Sequence, residues 1–356
     1  MKDDYLWDGS GEPDPEVQKL ETVLGRYRHN KPAPAFDRLA EIRPVKQRWS
    51  FFSLRWSYQL GALAAVVLLA ATVFYAVSSR PTGNAGPSWD VARLEGTPRI
   101  GWHSFGEKSG PGKLSIGQTL VTDSSSRASI TFDETGRVEV DAGSRLRLVA
   151  NGPGRKWLSL ERGTIHATIW APPGQFVVDT PSAIAVDLGC VYTLHVDDSG
   201  AGLLRTTMGW VGFKLNGRES FIPAGAICQT RPKIGPGTPY FEDASAPFRE
   251  ALSRFDFEST TPAERNALLG ILLVDARKND ALSLWHLLSR VSDADRPGVY
   301  DRLAALSPPP TGVTREGILR LDRPMLDAWW SSFGFGDIYL WRTYERDWSQ
   351  PPPKAK

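Results

Sequence analysis

The chain has 356 residues, room for roughly two folded domains, and its 41% hydrophobic and 23% charged residues are the proportions of a globular protein. A formal net charge of +2, with basic residues scattered along the chain, leaves no footprint for nucleic acid. Two cysteines, Cys190 and Cys228, are too few for a disulfide scaffold or a cysteine zinc cluster. They form one disulfide in an oxidising compartment, or they are two buried small apolar side chains.

Residues 1–57 open with acidic and turn-forming residues. Asp14-Pro15-Glu16 supplies an N-cap, a first-turn proline and an acidic first turn. Val17, Leu20, Leu24 and Tyr27 then recur at three- and four-residue steps, predicting a helix over about 15–28 with one apolar stripe. Phe36, Leu39 and Ile42 predict a second short helix between Pro34 and Pro44. A piece this small buries too little surface to be secure alone, so the stripe is expected to pack on a partner or on its neighbour.

From Tyr58 to Val77 the chain carries no charge, and a helix of about 20 residues spans about 30 Å, the thickness of a bilayer core. Trp56, Tyr58, Phe74 and Tyr75 suit interfacial anchoring, and one transmembrane helix is expected at 58–78. A buried helix of a soluble protein rarely lacks every charge over such a length. A cleaved secretory signal would use the small residues around Ala76-Val77-Ser78, but its apolar core would be overlong and its preceding segment far too extended. Arg43, Lys46, Arg48 and Arg55 precede the span, whereas Arg80 and Arg93 alone follow it closely, which predicts a cytoplasmic N terminus and an exported C terminus.

Residues 79–88 form a Gly/Pro/Ser linker. From 89 to 232 short alternating runs separated by turn residues predict an all-β domain, as a sandwich, a barrel or a solenoid-like roll. Leu158 and Leu160, then Ile165, Ala167 and Ile169, then Tyr192, Leu194 and Val196 alternate with polar residues, as half-buried strands do. Asp198-Ser199-Gly200 and Asn216-Gly217 are among the turns between such runs.

The period becomes helical over 244–348, predicting a small all-α domain before a Pro-rich tail at 349–356. Thr261-Pro262-Ala263-Glu264 is a capping box, Asn279-Asp280 precedes an apolar run, and Asp322 precedes a helix with Gly334 as its stop. Trp329, Trp330, Trp341 and Trp348 make either a packed core or an aromatic docking surface, and the area they carry favours the core.

No local motif for catalysis, cofactor or metal is present. His29, His103, His166, His195 and His286 lack ligand spacing, and His166 and His195 fall on the polar phase of their strands. Gly106 to Lys113 misses the phosphate-loop spacing, with Leu114 where a hydroxyl belongs. A non-enzymatic protein without cofactor or metal is therefore expected.

The segments at 160–169 (LERGTIHATI), 176–196 (FVVDTPSAIAVDLGCVYTLHV), 205–215 (RTTMGWVGFKL) and 221–230 (FIPAGAICQT) together resemble the FecR family of membrane regulators. The resemblance runs from Gly136 to about Pro232, with Cys190 where the family usually has Thr and Met208 where Glu is common. The opening at Tyr5-Leu6 is similar to the start of anti-sigma-factor domains, without their zinc-binding residues. The resemblance implies a bacterial inner-membrane protein that relays a periplasmic signal from a protein or ligand to a cytoplasmic sigma factor of the extracytoplasmic-function class. The stripe Val17, Leu20, Leu24 and Tyr27 would then meet the sigma factor, as an amphipathic helix meets a groove. The competing expectation is a membrane-anchored periplasmic binding or scaffolding module whose N-terminal segment only sets topology.

Overall fold

The structure, a computed structural model, describes residues 88–152 and 154–348, with side chains as far as residue 343. The stripe at 17–27, the segment at 58–78 and the tail at 349–356 lie outside the described residues. Among the described residues no helix is long and apolar enough to cross a membrane.

The β-rich part is built from two sheets that share one long strand. The first sheet runs in the order β4 (Gly112–Leu114), β1 (Trp89–Glu95), β6 (Arg127–Phe132), β7 (Gly136–Val140), β9 (Arg155–Ile169), β12 (Val191–Val196), β13 (Gly202–Met208) and β16 (Ala226–Arg231). Short strands β17 (Gly235–Pro236) and β18 (Tyr240–Phe241) complete its edge on β16. The second sheet runs β3 (His103–Ser104), β2 (Arg99–Ile100), β5 (Thr119–Val121), β8 (Arg145–Gly152), β9, β10 (Phe176–Asp179), β11 (Ile184–Asp187), β14 (Trp210–Leu215) and β15 (Arg218–Pro223). Pairing is antiparallel except between β9 and β10.

Strand β9 pairs with β8 and β10 through its first half and with β7 and β12 through its second. The handover falls at Gly163, whose φ of +98° is open to glycine at little cost and where a Cβ would collide with the backbone and side chain of Ser144. The predicted alternation holds on both sides of this point: Leu158, Leu160, Ile165 and Ala167 are fully buried, as are Tyr192, Leu194 and Val196 to within 1%. Phe132 of the first sheet stacks on Phe176 of the second at 5.2 Å between ring centroids, so the inner faces close on a shared core. The Asn216-Gly217 turn has both residues at positive φ, +51° and +77°, and joins β14 to β15 as a two-residue hairpin.

Helices follow directly: α1 (Ala246–Phe257), α2 (Pro262–Asp275), α3 (Ala281–Leu288), α4 (Arg296–Leu306), α5 (Arg315–Leu319), α6 (Arg323–Ser332) and α7 (Ile338–Trp348). The Thr261/Glu264 capping box forms with both reciprocal bonds, and Asp322 caps α6 by accepting from the Met325 N–H at 3.1 Å. Every residue of α3 is buried, the mark of a helix surrounded by protein.

The helices do not keep a core of their own. Strand β14 is apolar in both phases, with Trp210, Val211, Gly212 and Phe213 all buried, so its outer face needs a cover. The helices supply it: the Trp341 ring lies so close over Gly212 that any Cβ there would collide with it. Apolar residues of both sheets and of α1 to α7 belong to one continuous buried cluster. Strands also extend to Phe241, beyond the alternating pattern that ends near residue 232, because two-residue strands are too short to show a period.

Candidate binding cleft

The cleft begins at the edge of the second sheet. Strand β15 has a paired side toward β14, and its other side would leave backbone groups bare. Side chains from the helices satisfy them. His286 of α3 donates from Nδ1 to the Leu282 carbonyl (2.8 Å), which leaves Nε2 to accept the Phe221 N–H (3.0 Å). Arg290, just after α3, donates to the Glu219 carbonyl (2.9 Å), Ser220 Oγ (2.7 Å) and Thr238 Oγ1 (2.8 Å).

Phe221 is the hub of the packing that results. Its ring centroid lies 5.3–5.9 Å from those of Trp330, Trp341, His286, Trp210 and Trp285. Arg342 of α7 holds Asp327 of α6 through two bonds (3.1 and 3.0 Å) and Glu219 of β15 through a third (2.9 Å), while Trp341 Nε1 donates to the other Glu219 oxygen at 3.3 Å. These bonds raise the Arg342 pKa further although burial opposes them.

Between the β14–β15 hairpin and helices α3 and α6 lies a cleft of about 580 Å³. Phe221, Trp285, Leu321 and Leu326 give it apolar walls. Among the described residues, Lys214, Arg218, Arg290, Arg323 and Arg342 line it together with the Glu219 carboxylate. Asp256 offsets positive charge by pairing with Arg218 and Arg290 at 3.4 Å each, and Asp327 does so by pairing with Arg342 at 3.0 Å. His286 adds none, because burial first and the neighbouring Arg290 charge second push its pKa down to about 3. Arg218 keeps Nη1 out of water without an acceptor.

The two cysteines sit apart. Leu204 of β13 faces Cys228 on one side and Leu194 on the other, so Cys228 is two strands from β12 and four residues along from Cys190. Those offsets amount to about 10 Å across the sheet and about 13 Å along it, well beyond a disulfide's reach. Both thiols are buried and free. Cys190 donates to Asp187 Oδ2 (2.6 Å), whose other oxygen accepts the Gly189 N–H (2.7 Å), while Cys228 donates to the Gly237 carbonyl (3.2 Å). Burial is the first cause that raises Asp187 to about 7, lifts the Cys190 thiol well above its usual value and pushes Cys228 up to about 12.

On the outer face of the first sheet, Asp141, His166 and Thr193 form a file with bonds of 2.8 and 3.0 Å. The order is that of a catalytic triad, yet His166 and Thr193 are direct cross-strand neighbours on an open face, with the His166 side chain 44% exposed. A cross-strand ladder accounts for the arrangement. Among the described residues no three His, Cys, Asp or Glu gather as for a metal ion. Trp329, Trp330 and Trp341 are packed in the core rather than displayed.

Sequence reasoning missed Arg218, Trp285, Arg290 and Arg342, which lie on separate elements with no shared motif. The one available signal was WVGF at 210–213, apolar in both phases and therefore covered on both faces.

Residues 118–208 match the family model described as FecR protein, starting and ending earlier than the stretch whose segments resemble that family. No curated protein matches the chain. Two crystal structures of a protein from Parabacteroides distasonis, described as a "putative anti-sigma factor", are similar at 15% identity over 38% of this chain and 64% of theirs, with a TM-score of 0.32. The chain thus spans less than two thirds of the length of those structures.

Proposed function

With residues 118–208 forming a FecR domain, we propose that the chain is a single-pass inner-membrane regulator that relays a periplasmic signal to a cytoplasmic sigma factor of the extracytoplasmic-function class. The domain match carries this reading. The uncharged segment at 58–77 and the Arg/Lys excess before it supply the membrane span and its orientation. The stripe Val17, Leu20, Leu24 and Tyr27 supplies the inner contact, and the β-rich and helical region supplies the outer receiver.

In this mechanism the outer region binds its signal and biases the inner contact. A ligand acts only to the extent that it binds the signalling and resting states unequally. The cleft against the β14–β15 hairpin favours a second reading, a membrane-anchored binding module without control of a sigma factor. Affinity isolation of the full chain from its source cells separates the two. The regulator brings down a sigma factor of that class; the module brings down none.

A further inference from the structure

We propose that the end of the β-rich region at which β1 begins docks on a phospholipid bilayer, with Trp102, Ile116 and Trp170 seated in its interfacial layer. The inference rests on the reading that residues 58–78 span that bilayer, which the regulator and the binding module share.

Strand register places the three side chains at one end. Strand β1 starts at Trp89, opposite Leu114 of the antiparallel β4, so the chain leaving β4 through Ser115 and Ile116 runs past that end. It returns as β5, whose first residue, Thr119, accepts the Gly101 N–H at 3.0 Å. The β2–β3 hairpin therefore turns at the same end, with Gly101-Trp102 as its two-residue loop. On the first sheet, Asp90 of β1 lies opposite Thr131 near the end of β6, and β7 then begins at Gly136, opposite Ile169, the last residue of β9. Trp170 follows, its N–H held by the Thr135 carbonyl at 2.8 Å.

Exposure at this end is selective. Of the nine tryptophans between residues 88 and 343, seven are buried, whereas Trp102 is 99% exposed and Trp170 67%. Ile116 joins them at 42%. The hairpin loop does not demand the first ring, because Gly101 takes the positive φ of +58° and the next position needs no aromatic. Indole rings are favoured where an apolar layer meets water, as at the membrane boundary. Lys113 and Lys156 at this end are paired, with Asp90 at 2.7 Å and Asp133 at 3.3 Å, so the contact is expected to form on zwitterionic lipid. The occupant follows from the chain itself. Trp89 opens β1 at this end, and the ten residues 79–88 that join it to the uncharged segment reach at most about 35 Å. The tether thus enters at the end that carries the exposed rings.

The full chain reconstituted in phosphatidylcholine vesicles tests it, with a fluorophore on Trp102→Cys, Ile116→Cys, Trp170→Cys or Asp198→Cys and spin-labelled phosphatidylcholine as quencher. Asp198 is the reference, exposed in the β12–β13 turn at the opposite end of the first sheet, where Val196 faces Gly163. Cys190 and Cys228 are buried, which confines the label to the new thiol. Quenching several-fold above that at position 198 is expected at positions 102, 116 and 170. Adding Trp102→Ser and Trp170→Ser should bring the probe at position 116 down to the level of position 198. An alkaline carbonate wash of the same vesicles tests the span separately. A chain that survives the wash but is quenched no more at the three positions than at 198 overturns the contact and leaves the span standing. A chain released by the wash yet quenched at the three positions overturns the span and supports the contact, and one that fails both readings overturns both. Quenching at position 116 that persists without the two rings would show proximity set by the tether alone and would overturn the proposal.

Discussion

Two buried ionisable groups give the fold opposing responses to pH. His286 is held neutral with its pKa pushed down from 6.5 to about 3, so between those values the unfolded chain binds a proton that the native state refuses. Its contribution makes stability rise with pH through that window, by up to about 1.4 kcal/mol per pH unit. Asp187 is raised from 3.8 to about 7, so the native state keeps a proton that the unfolded chain has released. Its contribution is fully present below about 3.8 and is lost as pH rises toward 7, with the opposite slope. Over the window that the two share, the slopes offset each other. Asp187→Asn removes the second, and urea unfolding at steps from pH 4 to pH 6 should then show a rise with pH steeper by up to about 1.4 kcal/mol per unit. A pH dependence identical to the parent's would contradict the buried, protonated carboxyl. The neighbouring thiols make a further residue-scale test: Cys190 and Cys228 should resist a thiol reagent in the native chain and both react once it is unfolded, without prior reduction. A need for reductant would show that they pair.

At the scale of elements, the helices and the β14–β15 hairpin stand or fall together through Phe221. Its ring touches side chains from β14, α3, α6 and α7, and its N–H is held by His286. Phe221→Ala should cost about 3–5 kcal/mol, and urea transitions followed by far-UV and near-UV dichroism should move together. Two separate transitions, with the helical one alone displaced, would mean that the helices fold as an independent unit. The sequence carried the local parts of this architecture well. Alternation at Leu158–Ile169 and Tyr192–Val196 reads directly as strand, because period-two burial is written in adjacent residues. Caps at Thr261 and Asp322 were equally readable, because a cap is decided within one helical turn. The cleft was not, since Arg218 and Arg342 are brought together by a hairpin and two helices whose mutual packing leaves no periodic trace. A helix buried on every side, such as α3, likewise shows only that it is apolar and says nothing of which strand it covers.

For the whole molecule, the proposal divides the chain into an inner segment, a span and an outer receiver. Reporter fusions after Asn30 and after Gly110 should report cytoplasm and periplasm respectively, following the positive charge that precedes residue 58. The reverse pattern would overturn the orientation, and a soluble mature chain starting near Ser79 would point to a cleaved signal. The relay itself requires that the stripe at 17–27 hold the sigma factor. Replacing Leu20 and Leu24 with Asp in the full chain would place two charges in a desolvated interface at a cost of several kcal/mol, while Lys19→Ala and Glu21→Ala change residues off the stripe and should matter far less. The direct measurement is affinity isolation of these full-length variants from the source cells, with the captured sigma factor quantified against the parent chain. Capture by the parent and by the two alanine variants, and its loss with the double Asp variant, is the result expected; capture unchanged by the double Asp variant, or no sigma factor on any of them, would contradict the relay.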